Sequence, residues 1–218
     1  MTRSHLHPLR RRIRTLALLA AAFLLAGVAQ AQVTLELVPK PFTEHPEEGP
    51  PSECFLFPNP PGHVLYTPPP GWIPEADRDS LTLRHPDTLT TTLTLSVVPT
   101  RGAPALPAGG PADRAAIEAY AAVALAALPE RATGAEVVSK TPSLIEIERA
   151  HALEIQVRYL LHGQLFRKAC VFLPQPNQQI RFALTTPEDR FPRDHQAMRA
   201  SLFTWQFVHP DPTRSPAR

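Results

Sequence analysis

Downstream of residue 32 the chain alternates apolar and polar residues in short bursts, the signature of half-buried strands. Val33, Leu35 and Leu37 alternate with Thr34 and Glu36, and Cys54 to Phe57 is a brief apolar stretch. Val64 to Thr67 reads as a strand stopped by Pro68-Pro69-Pro70-Gly71-Trp72. Leu81 and Leu83 alternate with Ser80 and Thr82, then His85-Pro86-Asp87 makes a turn. Leu93, Leu95 and Val97 alternate with Thr92, Thr94 and Ser96. Val137-Val138 and Leu144 to Ile147 are further candidates, and Leu153, Ile155, Val157 and Tyr159 alternate strictly with polar partners. His162-Gly163 signals a tight turn into Leu165–Leu173. Pro174-Gln175-Pro176-Asn177 turns the chain again before Ile180, Phe182 and Leu184. Such short connections permit hairpins but not parallel crossovers.

Two stretches change period. Ile117, Tyr120, Ala121, Ala124 and Leu128 fall on one helical face, with Pro111 in the first turn and Asp113 at its positive end. Pro129 ends it, and the many alanines predict close packing on a sheet. Thr186-Pro187-Glu188-Asp189 reads as a capping box, interrupted by Phe191-Pro192. Asp194 to about Phe207 then forms a last helix burying Met198, Leu202 and Trp205.

The first 31 residues read as an export signal. Five arginines precede an apolar run, Leu16–Ala29, and Ala29-Gln30-Ala31 supplies the small-residue cut site before Gln32. A membrane span needs about 20 apolar residues, so no stable anchor is expected after cleavage. The run is followed by no cysteine for lipid attachment, and Arg11-Arg12 lacks the apolar pair of a twin-arginine signal. The expected location is periplasmic or extracellular. Without the leader, 17 Lys+Arg stand against 20 Asp+Glu, a net charge of −3, which argues against a nucleic-acid partner. What remains is long enough for one core.

Of 27 prolines, 17 fall between Pro39 and Pro111. Pro39-Lys40-Pro41 and Glu47-Glu48-Gly49-Pro50-Pro51 lack the donors a sheet needs, so residues 32–53 read as an extended Pro-rich arm. Residues 54–208 then form the domain, and 209–218 a fraying tail with three prolines. Cys54 and Cys170 are a candidate disulfide in an oxidising compartment, or else two separately buried thiols.

Little in the chain points to reaction chemistry. Among the histidines after the leader (His45, His63, His85, His151, His162, His195, His209) no pair has metal-ligand spacing, and no metal or cofactor is expected. Glu146, Glu148, His151, Glu154 and Arg158 form the densest charged cluster. A carboxylate pair there suits acid–base work only if burial separates the two pKa values, and solvated cross-strand charge is the plainer reading. Gly109-Gly110-Pro111 lacks the spacing and lysine of a phosphate loop, and no G-x-S-x-G is present.

Leu65-Tyr66-Thr67-Pro68 with Gly71-Trp72, together with Ser201-Leu202-Phe203-Thr204-Trp205, resembles the PsbP/DcrB-like family over roughly Phe55–Phe207. That fold also includes a nuclear factor acting on the Ran GTPase. The resemblance implies an α+β (α/β/α sandwich) fold: an antiparallel meander covered by two main helices. It implies an accessory or binding role rather than catalysis, and it carries over no active site. Trp72 is expected to cover one end of the core rather than to serve as a ligand platform. The arm before Cys54 and the insert at 101–107 depart from a minimal version of the fold.

The leading functional expectation is therefore an exported, non-enzymatic domain that binds a cell-envelope protein through its Thr-rich sheet edge or its arm. The alternatives are a small apolar-ligand carrier with Tyr120, Tyr159 and Trp205 lining a pocket, and an enzyme using the Glu146–Glu154 region.

Overall fold

Hairpins dominate because each alternating burst finds its sequence neighbour. The computed structural model describes residues 35–44, 51–101, 104–107, 110–147, 150–175 and 178–208. The residues read from sequence as an export signal, Glu148 and the tail from residue 209 lie outside them. Strands β1 (Lys40–Glu44), β2 (Ser52–Asn59) and β3 (Gly62–Tyr66) are followed by β4 (Ile73–Asp77), β5 (Ser80–Arg84) and β6 (Thr92–Pro99). Helix α1 (Arg114–Ala126) leads to β7 (Thr133–Thr141), the short β8 (Glu146–Ile147) and β9 (Ala150–His151), then β10 (Leu153–Leu161), β11 (Gln164–Pro174) and β12 (Gln178–Pro187). Helix α2 (Phe191–Leu202) and β13 (Gln206–Val208) close the described chain.

The main sheet has seven strands in the order β4-β5-β6-β12-β11-β10-β7, every pair antiparallel. A second sheet, β1-β2-β3-β13, is also antiparallel. The α+β sandwich expected from sequence is present. The expectation of one antiparallel layer is corrected, since the N-terminal third and the last three residues of the fold build a sheet of their own.

Alternation sets the two cores. Ile180, Phe182 and Leu184 of β12 join Leu81, Leu83, Leu93 and Leu95 beneath α2 and the small sheet, in a cluster that also holds Phe57, Tyr66, Met198 and Trp205. The opposite face of β10 and β11 gives Leu153, Ile155, Val157, Cys170 and Phe172, which pack under α1 through Ala116, Tyr120, Ala121 and Ala124. Small alanines let the helix axis approach β10 and β7 closely. Helix α1 begins after Asp113, whose side chain accepts from the Ala116 N–H at 2.7 Å, so Pro111 lies just before the cap rather than in the first turn.

Three further boundaries differ from the sequence reading. The segment taken as an unpaired arm is part of the domain: Leu35 and Leu37 are fully buried, and β1 pairs along β2 with Pro41 opposite Phe55. An edge strand tolerates a proline because only one side of it needs donors. Strand β12 runs on to Pro187, and Glu188 pairs with Arg167 instead of forming a capping box. Helix α2 starts at Phe191 with proline in its first turn, where no N–H is required. It stops at Leu202, because Thr204 Oγ1 binds both the Ser201 carbonyl (2.7 Å) and the Thr67 carbonyl (3.2 Å). Trp205 and Phe207 then follow strand rather than helix spacing. Among the described residues no helix is long and apolar enough to cross a membrane.

Candidate functional site

The run of prolines ending β3 resolves into a tight turn. Trp72 N–H donates to the Pro69 carbonyl at 3.2 Å, Pro70 takes the second position, and Gly71 supplies φ +77° at the third. Proline followed by a left-handed residue is the pattern of a type II turn, which glycine adopts without strain. The turn swings Trp72 onto the edge of the larger core, 8% exposed, with its ring edge-on to His85 at 5.4 Å. Trp72 caps the core as expected, and it also walls a cleft.

That cleft, of about 320 Å3, lies between the Pro69–Trp72 turn, the β5–β6 loop and α2. Behind it runs a chain of polar contacts. Asp194, 2% exposed on α2, accepts from Thr186 Oγ1 at 2.6 Å and from Thr91 Oγ1 at 3.5 Å, and its Oδ2 lies 3.5 Å from Arg190 Nε. Arg190 Nη2 in turn lies 3.0 Å from His85 Nε2, and the Asp87 N–H lies 3.1 Å from His85 Nδ1. Three elements distant in sequence are thus tied at one end of the main sheet. Sequence reading missed this, taking His85 for a turn residue. A signal existed: Asp194 occupies the 191/194/198/201/202 stripe of α2 that faces inward.

One helical step further on, Glu154 of β10 is 1% exposed and lies 2.6 Å from His195 Nε2, with Gln156 Nε2 donating to the same oxygen at 2.8 Å. His195 stacks on Phe191 at 4.8 Å, and the Arg167 guanidinium lies over the Phe191 ring, 4.6 Å from its centroid. The Glu154–His195 pair pins α2 to the sheet.

Among the described residues, which leave out Glu148, the sequence-predicted enzyme site does not assemble. Glu146 is exposed on the β8–β9 ribbon, Arg158 pairs with Glu136, and Glu154 points to His195, so the carboxylates do not converge. Ser143 Oγ does reach His151 Nδ1 at 2.8 Å, but Glu146 stays 3.9 Å from Nε2, beyond a hydrogen bond, and Ser143 and Glu146 are exposed. A serine nucleophile there lacks an oriented base and a dry cavity. Among the described residues no three metal-ligating side chains cluster.

The expected pocket of Tyr120, Tyr159 and Trp205 does not form either. Tyr120 belongs to the core under α1, whereas Trp205 belongs to the core on the opposite face of the sheet. Tyr159 stacks on Phe166 at 5.8 Å. Tyr120 is occupied with the insert instead. Its hydroxyl donates to the Pro104 carbonyl at 2.6 Å and accepts from Gln179, while Leu106 packs on the same core. The described part of the insert is therefore clamped to α1.

Cys54 and Cys170 are free and buried, and the bridge is not formed. Cys54 lies on β2 of the small sheet, and Cys170 lies on the α1 face of the main sheet. Burial pushes the Cys170 thiol up to about 11, and burial with the Glu44 carboxylate raises Cys54. Thiols shifted this way are poor nucleophiles at neutral pH. Burial likewise raises the hydroxyls of Tyr66, Tyr120 and Tyr159.

No protein-family model matches the chain, and no curated protein matches it. Solved structures are similar to it. Cyanobacterial PsbP (CyanoP) of Synechocystis is 12% identical, covering 83% of this chain and 96% of its own, with a TM-score of 0.45. A Pseudomonas aeruginosa protein of unknown function is 16% identical over 73% of this chain and 99% of its own, at 0.44. LpqN of Mycobacterium tuberculosis, described as involved in cell envelope biogenesis, is 12% identical over 78% and 92%, at 0.42.

Proposed function

We propose that this chain is an exported, non-enzymatic accessory domain that acts by binding a cell-envelope protein. The observation that carries the reading is the uneven cover of the main sheet. Helix α1 packs on β10 and β7, so among the described residues no helix packs on the outer face of β4, β5 and β6. That face presents Thr82, Thr94 and Ser96 half-buried, flanked by β4, whose five residues are all exposed. Ile73 is 58% exposed at its start. A hydroxyl-rich face offers donors and acceptors across its width, which a partner's polar groups can satisfy on burial.

The distribution of charge supports the same reading. Arg78–Glu36, Arg84–Glu75, Lys140–Glu118, Arg158–Glu136 and Arg167–Glu188 pair off across neighbouring elements. Matched in this way, these groups stabilise the surface modestly and do not converge on a substrate.

The test is a cysteine-linked photo-crosslinker on Thr82→Cys, since both native thiols are buried. Exposure to a cell-envelope extract is expected to give one discrete adduct from position 82 and none from an Arg131→Cys control on the far loop. Equal smears from both positions, or no adduct, would refute the reading.

A further inference from the structure

We infer that two copies of this chain form a reversible, two-fold symmetric dimer by pairing their β1 edges, Lys40–Glu44, which joins two four-stranded small sheets into one. The inference goes beyond the protein-binding reading. Position 82 lies on the main sheet, so failure of the crosslinking there leaves it untouched.

The two larger sheets end in four edge strands: β1 and β13 in one, β4 and β7 in the other. An edge leaves main-chain groups unpaired, and a second copy can take them up where the side chains accept the same register. In a two-fold antiparallel pair, each residue faces the one equally far from the centre on the partner copy. Strand β4 repels its own copy, because centring on Glu75 sets that carboxylate against itself and Ile73 against the partner's Asp77. Strand β7 shifts register against β10 at two points, an irregularity that blunts an edge. Strand β13 has only three residues, none of them charged. Strand β1 alone is self-complementary. Centred on Phe42, it sets each Lys40 opposite the partner's Glu44 and the two Phe42 rings side by side.

Nothing described in the chain already uses these groups. All five residues of β1 are exposed, and Phe42, its one large apolar side chain, is 43% exposed. Among the described residues Lys40 and Glu44 have no ion-pair partner, although Arg78, Arg84, Lys140, Arg158 and Arg167 each have one. The main chain permits the register. Since β1 pairs with β2 at all five positions, Pro41, which has no N–H, turns its ring nitrogen away from β2. Thr43 points its main chain the same way, so its N–H meets the partner's Pro41 carbonyl, once on each side of the axis. Centring on Thr43 instead makes as many main-chain bonds but sets Phe42 against the partner's Glu44, so the side chains fix the register. So short a strip falls below the area of a permanent dimer, and the association is concentration-dependent.

The experiment is sedimentation equilibrium on the whole mature chain at low salt, with protein up to about 1 mM. A monomer–dimer equilibrium is expected, with Kd between about 1 μM and 1 mM. Lys40→Glu and Glu44→Lys each turn both ion pairs into like-charge contacts, and each is expected to weaken the dimer roughly tenfold or more. The double variant Lys40→Glu/Glu44→Lys restores opposite charges across the axis and is expected to dimerise like the parent. Glu130→Lys, the same charge change at an exposed site on the α1–β7 loop, is expected to have no effect. Both β1 positions are exposed, so the single variants keep the fold. The inference is overturned by a chain that stays monomeric throughout, by assemblies larger than a dimer, by single variants that dimerise normally, or by a double variant that stays dissociated.

Discussion

Glu154 and His195, 41 positions apart, meet at 2.6 Å beneath α2, with the carboxylate 1% exposed. The sheet side of this contact also holds Gln156, so the buried oxygen has two donors. Removing one partner strands the other away from water, and breaking a buried pair typically costs about 3–5 kcal/mol. Glu154→Ala is therefore expected to lower stability by roughly 3 kcal/mol in urea unfolding, with Glu154→Gln costing less because its carbonyl oxygen still accepts. An alanine variant as stable as the parent would mean that α2 is held by its apolar stripe alone.

Trp205 lies at the centre of an aromatic group, with Phe57, Tyr66, Phe182 and Phe207 all within 6.3 Å between ring centroids. Its indole N–H is buried with no partner among the described residues. Trp205→Ala is expected to cost about 4 kcal/mol or more through the cavity it leaves. Trp205→Phe should cost much less, near ~1 kcal/mol, because it also removes an unmet donor. Chemical denaturation of the two variants decides whether the N–H is unpaired in solution.

Alkaline pH should destabilise the fold in a defined window. The Cys170 thiol is raised from 9.0 to about 11 in the folded protein, so it stays protonated where the unfolded chain has lost its proton. Its contribution is full below the unfolded value and is lost as pH climbs through the folded one. Between about 9 and about 11 the unfolded state binds fewer protons, and stability falls by up to roughly 3 kcal/mol from this group. Thermal melts across that range should steepen in the parent relative to Cys170→Ala. The buried tyrosines add to the slope in both.

Gly71 carries φ +77° with open space where a Cβ would go. Gly71→Ala then tests backbone strain free of collision, and a cost of about 1–2 kcal/mol is expected. A neutral result in thermal unfolding would show that the turn before Trp72 relaxes.

Strands with strict alternation were readable because one side of each meets a core: β5, β6 and β10 begin and end close to where their patterns do, while β12 runs past its own. The His162-Gly163 turn was equally plain, with φ of 51° and 80° at the two positions. Illegible stretches are those whose state depends on a distant partner. Pro41 reads as a breaker until β2 lies beside it, and Trp205-Gln206-Phe207 reads as the end of a helix until β3 offers an edge. The same holds for the site. The contact between His85 and Arg190 spans 105 positions, and no local pattern encodes it. Asp194 was the exception, an acid on an inward stripe.

The pairing of Gln206, Phe207 and Val208 with Leu65, Val64 and His63 has a consequence for the order of events in synthesis. Until these last strand residues are delivered, a partly completed chain cannot seat Trp205 in its aromatic cage or cover the edge of β3. It stays an unfinished, sticky intermediate up to that moment. A stop codon placed just before Trp205 should therefore yield a product fit for proteolysis rather than a slightly shortened domain.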